Sequence, residues 1–229
     1  MSERAESDRS GAPERGAAGS RTARRYDASG RRQQARRNRA AVLGEARRRF
    51  LADGYAATTL REIAEGAGVS VETVYKAFGS KAGVLKAVFD VSVAGDDEQV
   101  PIAERNFIAA IVAEPDARRK IERYTEHLAV TMPRVVPVQL LARDAAAADA
   151  DAASVWHQMR AETLTAMAMF AADLARTGAL TVSVDDARDV LWAFHSPEWF
   201  ELLVLERGWS AARYGAFLAG SIAAAVLTP

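Results

Sequence analysis

The chain has 229 residues, 30 Lys and Arg against 30 Asp and Glu, no cysteine, and 49% hydrophobic residues. That length can bury a sizeable core, and the composition excludes an intrinsically disordered chain, a disulfide-stapled scaffold, a thiolate nucleophile and any Cys-ligated metal. The start is charged with no apolar h-region, and the longest uncharged run, Tyr214 to Pro229, falls short of the roughly 20 residues a bilayer span needs, so a soluble, cytoplasmic protein with no membrane partner is expected.

Residues 1–33 are rich in Gly, Ser, Ala and Arg and show almost no apolar periodicity, so they read as a disordered basic arm. The zero net charge is unevenly spread. Residues 1–90 hold 18 Lys and Arg against 11 Asp and Glu, and residues 91–229 hold 12 against 19. The excess is sharpest between Arg21 and Arg49, which points either to a polyanion partner or to a merely solvated tail.

From residue 34 the pattern is helical, and the spacing predicts an all-α chain. Val42, Leu43, Ala46, Phe50 and Leu51 form one stripe of a helix over 34–53, with Gly54 just beyond its end. Thr58 and Thr59 can cap a short helix whose apolar set is Leu60, Ile63, Ala64 and Ala67. Gly66-Ala67-Gly68 ends it. Ser70 can cap a helix to Phe78 with Val74 and Phe78 inward, and Gly79-Ser80 punctuates a further helix from Lys81. Two short helices joined by a glycine-containing turn make a helix-turn-helix, with Glu72, Thr73, Tyr75 and Lys76 left outward, where a major groove would lie. A helical hairpin of this kind is also a common packing unit without any DNA.

Beyond residue 91 the pattern predicts helices near 100–113, 115–131, 135–148, 151–177, 185–195, 197–207 and 210–227. Pro101, Pro115 and Pro197 suit first turns and Ser210 suits an N-cap. The alternation Leu180, Val182, Val184 is too short and isolated for a sheet.

The run Gly54-Tyr55-Ala56-Ala57-Thr58-Thr59-Leu60-Arg61-Glu62-Ile63-Ala64, then Ala67-Gly68-Val69-Ser70, then Thr73-Val74-Tyr75-Lys76-Ala77-Phe78-Gly79-Ser80-Lys81, strongly resembles the tetracycline-repressor (TetR) family over about residues 36–90. Gly79 and Val74 depart slightly from that family's usual residues. The resemblance implies a homodimer with an N-terminal helix-turn-helix domain, here 34–90, and a C-terminal antiparallel helical domain for ligand binding and dimerisation, here 91–229. It further implies that Thr59, Tyr75 and Lys81 hold phosphates of a double-stranded DNA operator. Hydroxyl, phenol and ammonium groups can each bond a phosphate oxygen, and the helix starts at Ser70 and Ser80 favour anions. Arg37 and Arg39, close in sequence to this unit, are further phosphate candidates. Glu72, Thr73 and Lys76 are the base-reading candidates, Lys76 toward guanine and Glu72 toward cytosine.

Enzymatic readings find no support. His127, His157 and His195 have no partner at metal-ligand spacing, and no P-loop or G-x-S-x-G occurs, so neither cofactor nor metal is expected. Phe107, Tyr124, His127, Met132, Trp156, Met159, Thr163, Met167 and Trp192 could line an apolar pocket for a small-molecule effector, or simply fill a bundle core. Trp199, Leu203, Ala216, Ala219, Gly220 and Ala223, on the last two helices, combine bulky and small residues as a four-helix dimer interface would. The function expected is a repressor released from a pseudo-palindromic operator by a small, largely apolar ligand. An activator, a co-repressor-dependent regulator and a small-molecule binding module without operator function are the alternatives.

Overall fold

A computed structural model of the chain describes residues 19–95 and 106–228. Residues through Asn38 group as one unit and those from Arg39 onward as a second. The first helix, α1, spans Gly19–Asp53. Residues 19–33 are thus helical, which corrects the expected disordered arm over that stretch; residues 1–18 lie outside the described residues. Arg, Ala and Gln dominate Arg21 to Arg37, and these are strong helix formers whether or not an apolar stripe is present. Val42, Leu43, Ala46 and Phe50 are buried as the stripe predicts, but Leu51 is 41% exposed and falls off it.

Helices α2 (Leu60–Gly66), α3 (Val71–Phe78) and α4 (Lys81–Ala94) follow, each started by a side-chain cap from Thr59, Ser70 and Ser80 respectively. Gly68 and Gly79 adopt φ of 66° and 76°, the left-handed region that glycine enters without a Cβ penalty. Gly83 has a different reason. A Cβ there would stand 2.0 Å from the Phe78 carbonyl oxygen, so the first turn of α4 closes on the end of α3 only because the side chain is absent.

The rest of the second unit is α5 (Asn106–Ala113), α6 (Ala117–Ala146), α7 (Ala150–Ala175), α8 (Val184–Phe194), α9 (Pro197–Phe200), a π-helical segment Glu201–Glu206, and α10 (Ala211–Val226). Expected start Pro101 lies outside the described residues, and Pro115 precedes the Asp116 cap of α6 rather than entering its first turn. The two helices expected at 115–131 and 135–148 are one. Pro133 and Pro137 sit inside it, each removing a backbone donor. Packing explains the continuity: Met132, Val135, Val136 and Val138 are all buried on α6, which lies against α4, α7 and α10. Among the described residues there is no strand, only a bridge between Leu180 and Leu227.

Two apolar clusters make the core. One joins Phe50, Ile63, Val74 and Leu85 to Val135, Val138, Val155 and Met159, so α1–α4 share buried surface with α6 and α7. The other gathers Ile121, Leu128, Leu174, Leu191, Leu218 and Ile222 from α6–α8 and α10. Each such side chain contributes about 1.5–3 kcal/mol on burial. A buried ion pair is set in the second cluster. Lys120, 3% exposed, donates to the Ile111 and Val112 carbonyls at 2.9 Å each and to Asp173 Oδ2 at 2.7 Å, which spends all three ammonium protons and ties the end of α5 to α6 and α7.

Candidate nucleic-acid interface and small-molecule groove

Thr59 closes a capping box: its hydroxyl accepts from Glu62 N at 3.2 Å, while Glu62 accepts from Thr59 N at 2.9 Å. The Thr59 hydroxyl and backbone N–H hold the Glu62 carboxyl below the usual carboxylate range. Ser70 accepts from Thr73 N at 3.2 Å, and its hydroxyl lies 3.0 Å from that of Thr73. The Glu72 carboxyl is likewise lowered, by its own backbone N–H and then by the Ser70 hydroxyl. Ser80 accepts from Gly83 N at 3.0 Å.

Val74 anchors α3, 1% exposed, with Phe78 half-buried behind it. Glu72, Thr73, Tyr75 and Lys76 are all exposed, Tyr75 by 54%. The structure therefore puts three capped helix starts and one polar helix face on the same compact helix-turn-helix. Arg37 is exposed on α1, and Arg39 stacks its guanidinium 4.8 Å from the Phe78 ring centre. Lys81 is more committed. It donates to the Tyr55 carbonyl at 2.9 Å and the Thr58 carbonyl at 3.2 Å, and lies 4.2 Å over the Tyr55 ring, so two of its three protons are taken up within the fold.

The C-terminal turn of α4 is held from two sides. Arg47 of α1 donates to Ser92 Oγ at 2.8 Å, and Arg134 of α6 donates to the Ser92 carbonyl at 2.6 Å. Lys86, in the middle of α4, pairs with Asp90 at 2.6 Å and with Glu162 of α7 at 3.1 Å. The helix that follows α3 is thereby fastened to the bundle.

A groove of about 320 Å³ opens where α6, α7, α8 and α9 meet. Of the nine residues expected in a pocket, Trp156, Met159, Thr163 and Trp192 line it. Five do not. Tyr124, Met132 and Met167 are buried in the second core cluster, and Phe107 and His127 stack on each other at 3.7 Å. Gln139, Arg160, His195, Glu198 and Trp199 also line the groove, outside the expected set; Trp199 is expected at a dimer interface and His195 has no assigned role. His195 meets the Tyr124 hydroxyl through Nδ1 at 2.6 Å, and burial pushes its pKa down to about 4, so the imidazole is neutral at pH 7. Gln139 is 4% exposed and its Oε1 has no partner, an orphan that costs about 1–3 kcal/mol.

Of the residues expected at a dimer interface, Ala216 and Gly220 are exposed, Ala219 is half-buried, and nothing lies within 4 Å of where a Gly220 Cβ would be. Leu203 is half-buried against the second cluster. Ala223 is a correction: at 2% exposed it belongs to the chain's own core, because it faces inward on α10 alongside Ile222 and Val226. Trp199, 36% exposed, packs on Phe194 and Phe217 and walls the groove.

An all-helical chain with a capped helix-turn-helix and an outward polar face on its second helix is a helix-turn-helix protein. Residues 42–88 match the sequence profile of bacterial regulatory proteins, tetR family. No protein of curated function matches the chain. Many solved structures share its fold, three of which follow. A TetR-family transcriptional regulator from Rhodococcus sp. is 18% identical with a TM-score of 0.64, covering 82% of this chain and 98% of its own. A transcriptional regulator from Saccharomonospora viridis in complex with choline is 18% identical, TM-score 0.58, over 83% and 98%. The transcriptional regulator FadR from Bacillus subtilis in complex with stearoyl-CoA is 17% identical, TM-score 0.61, over 80% and 96%. TetR-family regulators are DNA-binding transcription factors. Among the described residues no helix is long and apolar enough to cross a membrane.

Proposed function

We propose that this chain is a dimeric transcriptional repressor that holds a pseudo-palindromic operator through α3 and lets go when a small molecule fills the groove. The observation that carries the reading is the exposed face Glu72, Thr73, Tyr75 and Lys76, framed by the capped helix starts at Thr59, Ser70 and Ser80. Lys76, Glu72 and Thr73 would read base edges. Tyr75, Lys81, the capped starts, Arg37 and Arg39 would sit on phosphates and fix the register. Two copies would place two such helices about one helical turn apart.

Release follows from a population shift, because a ligand preferring the unbound arrangement moves the equilibrium toward it. The ties from α4 to Arg47, Arg134 and Glu162 supply a route from groove to reading helix. Similar folds take up ligands as unlike as choline and stearoyl-CoA, which supports a ligand role for this groove without naming its occupant. For the dimer, the exposed Leu202, Leu205, Ala216 and Gly220 are the residues a second copy would cover.

The test is selection of bound duplexes from a random pool with the full-length protein, followed by affinity against salt. A repressor gives a two-fold symmetric site and a steep salt slope, and deletion of residues 1–33 flattens that slope. Absence of any selected duplex would overturn the reading. For the dimer, the Ala216→Glu/Gly220→Glu variant should sediment as a helical monomer with sharply weaker operator binding; a fully dimeric variant would move the interface elsewhere.

A further inference from the structure

The polar side chains along the groove differ in one respect. Thr163 Oγ1 donates to the Met159 carbonyl at 3.0 Å, and Trp199 Nε1 to the Ala193 carbonyl at 3.1 Å. His195 is bonded to Tyr124, Ser196 Oγ donates to the Glu198 carboxylate, and Glu198 also faces Arg143 at 3.5 Å. Indole N–H groups aside, two side chains are left. One is Gln139, buried with its Oε1 unpartnered. The other is Arg160, half-buried, whose guanidinium carbon lies 4.5 Å from the Trp192 ring centre and 5.5 Å from that of Trp156. Among the described residues no carboxylate pairs with Arg160.

These facts bear on the sign and shape of a ligand. A quaternary ammonium would need the indole faces, but the protein's own guanidinium already lies over two of them. A cationic ligand would therefore have to displace Arg160 or sit against a like charge. Glu198 offers little to a cation, because Arg143 and Ser196 already satisfy its carboxylate. A guanidinium laid on a ring keeps its N–H donors at its edge, and those donors match a carboxylate bidentately. The volume stands at the low end of small-molecule sites, which suits one or two rings better than a long acyl chain.

We infer that the groove takes a small aromatic carboxylate, its anion on Arg160, its ring beside Trp156 and Trp192, and a hydrogen-bonding ring substituent at Gln139. The inference rests on the groove being the effector site and names the class of effector.

Tryptophan fluorescence of the full-length protein, titrated with 4-hydroxybenzoate, benzoate, 4-hydroxybenzamide, choline and stearoyl-CoA, tests it. We expect saturable quenching by 4-hydroxybenzoate, binding at least tenfold weaker for the neutral amide, and none for choline. Arg160→Gln should erase the preference for acid over amide, and Arg160→Lys should restore part of it. Gln139→Leu should remove the advantage of 4-hydroxybenzoate over benzoate. Amide bound as tightly as acid, or choline or stearoyl-CoA bound in preference to both, overturns the inference. That comparison needs only the unsubstituted protein, so a misfolded variant does not spare it. The same titrations on the selected duplex separate the two readings. An aromatic carboxylate that binds through Arg160 without releasing DNA refutes the effector role and leaves the ligand class standing. Release by another ligand, abolished by Trp192→Ala while carboxylates fail to bind, refutes the ligand class alone.

Discussion

Helix α3 and the groove treat polar groups in opposite ways. On α3 the polar atoms are either satisfied within a turn, as Ser70 and Thr73 satisfy each other, or stand in water, as Lys76 does. In the groove, Gln139 and Arg160 are neither fully solvated nor paired. An exposed charged face costs the fold almost nothing and suits a long polyanion that arrives with its own counterions to shed. A recessed unpaired group costs stability and is repaid only when a complementary partner enters. The first region presents its polar atoms to water; the second holds polar groups that the fold leaves unpaired. Folding stability should therefore be insensitive to α3's outer face and sensitive to the polar groups inside the bundle.

That contrast can be broken in four places. The largest effect belongs to Lys120→Met, which takes from Asp173 its buried partner, leaving it Arg176 alone, and removes a donor from the Ile111 and Val112 carbonyls; about 3–5 kcal/mol should be lost in urea denaturation. Gly83→Ala comes next, at about 1–3 kcal/mol, because its new Cβ meets backbone rather than a movable side chain. It should also tilt α3 against α4, so operator affinity falls along with the melting temperature. A stability change there without a change in DNA binding would mean that the α3–α4 junction does not orient the reading helix.

The third is a matter of pH. His195 stays neutral in the fold down to about 4, whereas in the unfolded chain it protonates near 6.5. The unfolded state then binds the extra proton, so its contribution to stability is complete above pH 6.5 and is lost as pH falls toward 4. The slope cannot exceed about 1.4 kcal/mol per pH unit for one proton, and it should disappear from the acid limb of the stability curve in His195→Gln. The smallest expected stability change is on α3: Lys76→Ala and Glu72→Ala should stay within about 0.5 kcal/mol of the parent. Each should nevertheless relax sequence preference by about 1–3 kcal/mol at the base it reads. Tyr75→Phe should weaken all duplexes alike. If Lys76→Ala and Glu72→Ala both left the selected site unchanged, bases would be read from another surface.

The two regions were also unequally legible from the amino-acid order. Thr59, Ser70, Gly79 and Ser80 act on backbone within three or four residues, so the helix-turn-helix shows itself in local chemistry. The groove assembles residues from Gln139 to Trp199, and nothing beside Arg160 in the sequence says that it will lie on two indoles. Met132 and Met167 look like pocket residues by type, yet they fill core, because burial depends on which helix lies opposite. The early start of α1 was missed for the converse reason. Apolar periodicity reports packing, whereas the Arg, Ala and Gln of this stretch carry helix propensity without a stripe.

The π-helical stretch Glu201–Glu206 has a consequence for the end of the chain. Its hydrogen bond from Arg207 N to the Leu202 carbonyl, 3.2 Å long, reaches back five positions where an α-turn reaches back four. The stretch thus carries one residue more than its turns require, a length of slack wound into the coil. Passing that surplus along by one position would rotate the intervening side chains about 100° around the axis without moving either anchor. Leu202 and Leu205, 50% and 54% exposed, are the side chains such a rotation would swing, while Phe200, 2% exposed, stays pinned at the near end. The wide turn thus turns Leu202 and Leu205 outward together between two buried aromatic anchors, Phe200 before it and Tyr214 after it.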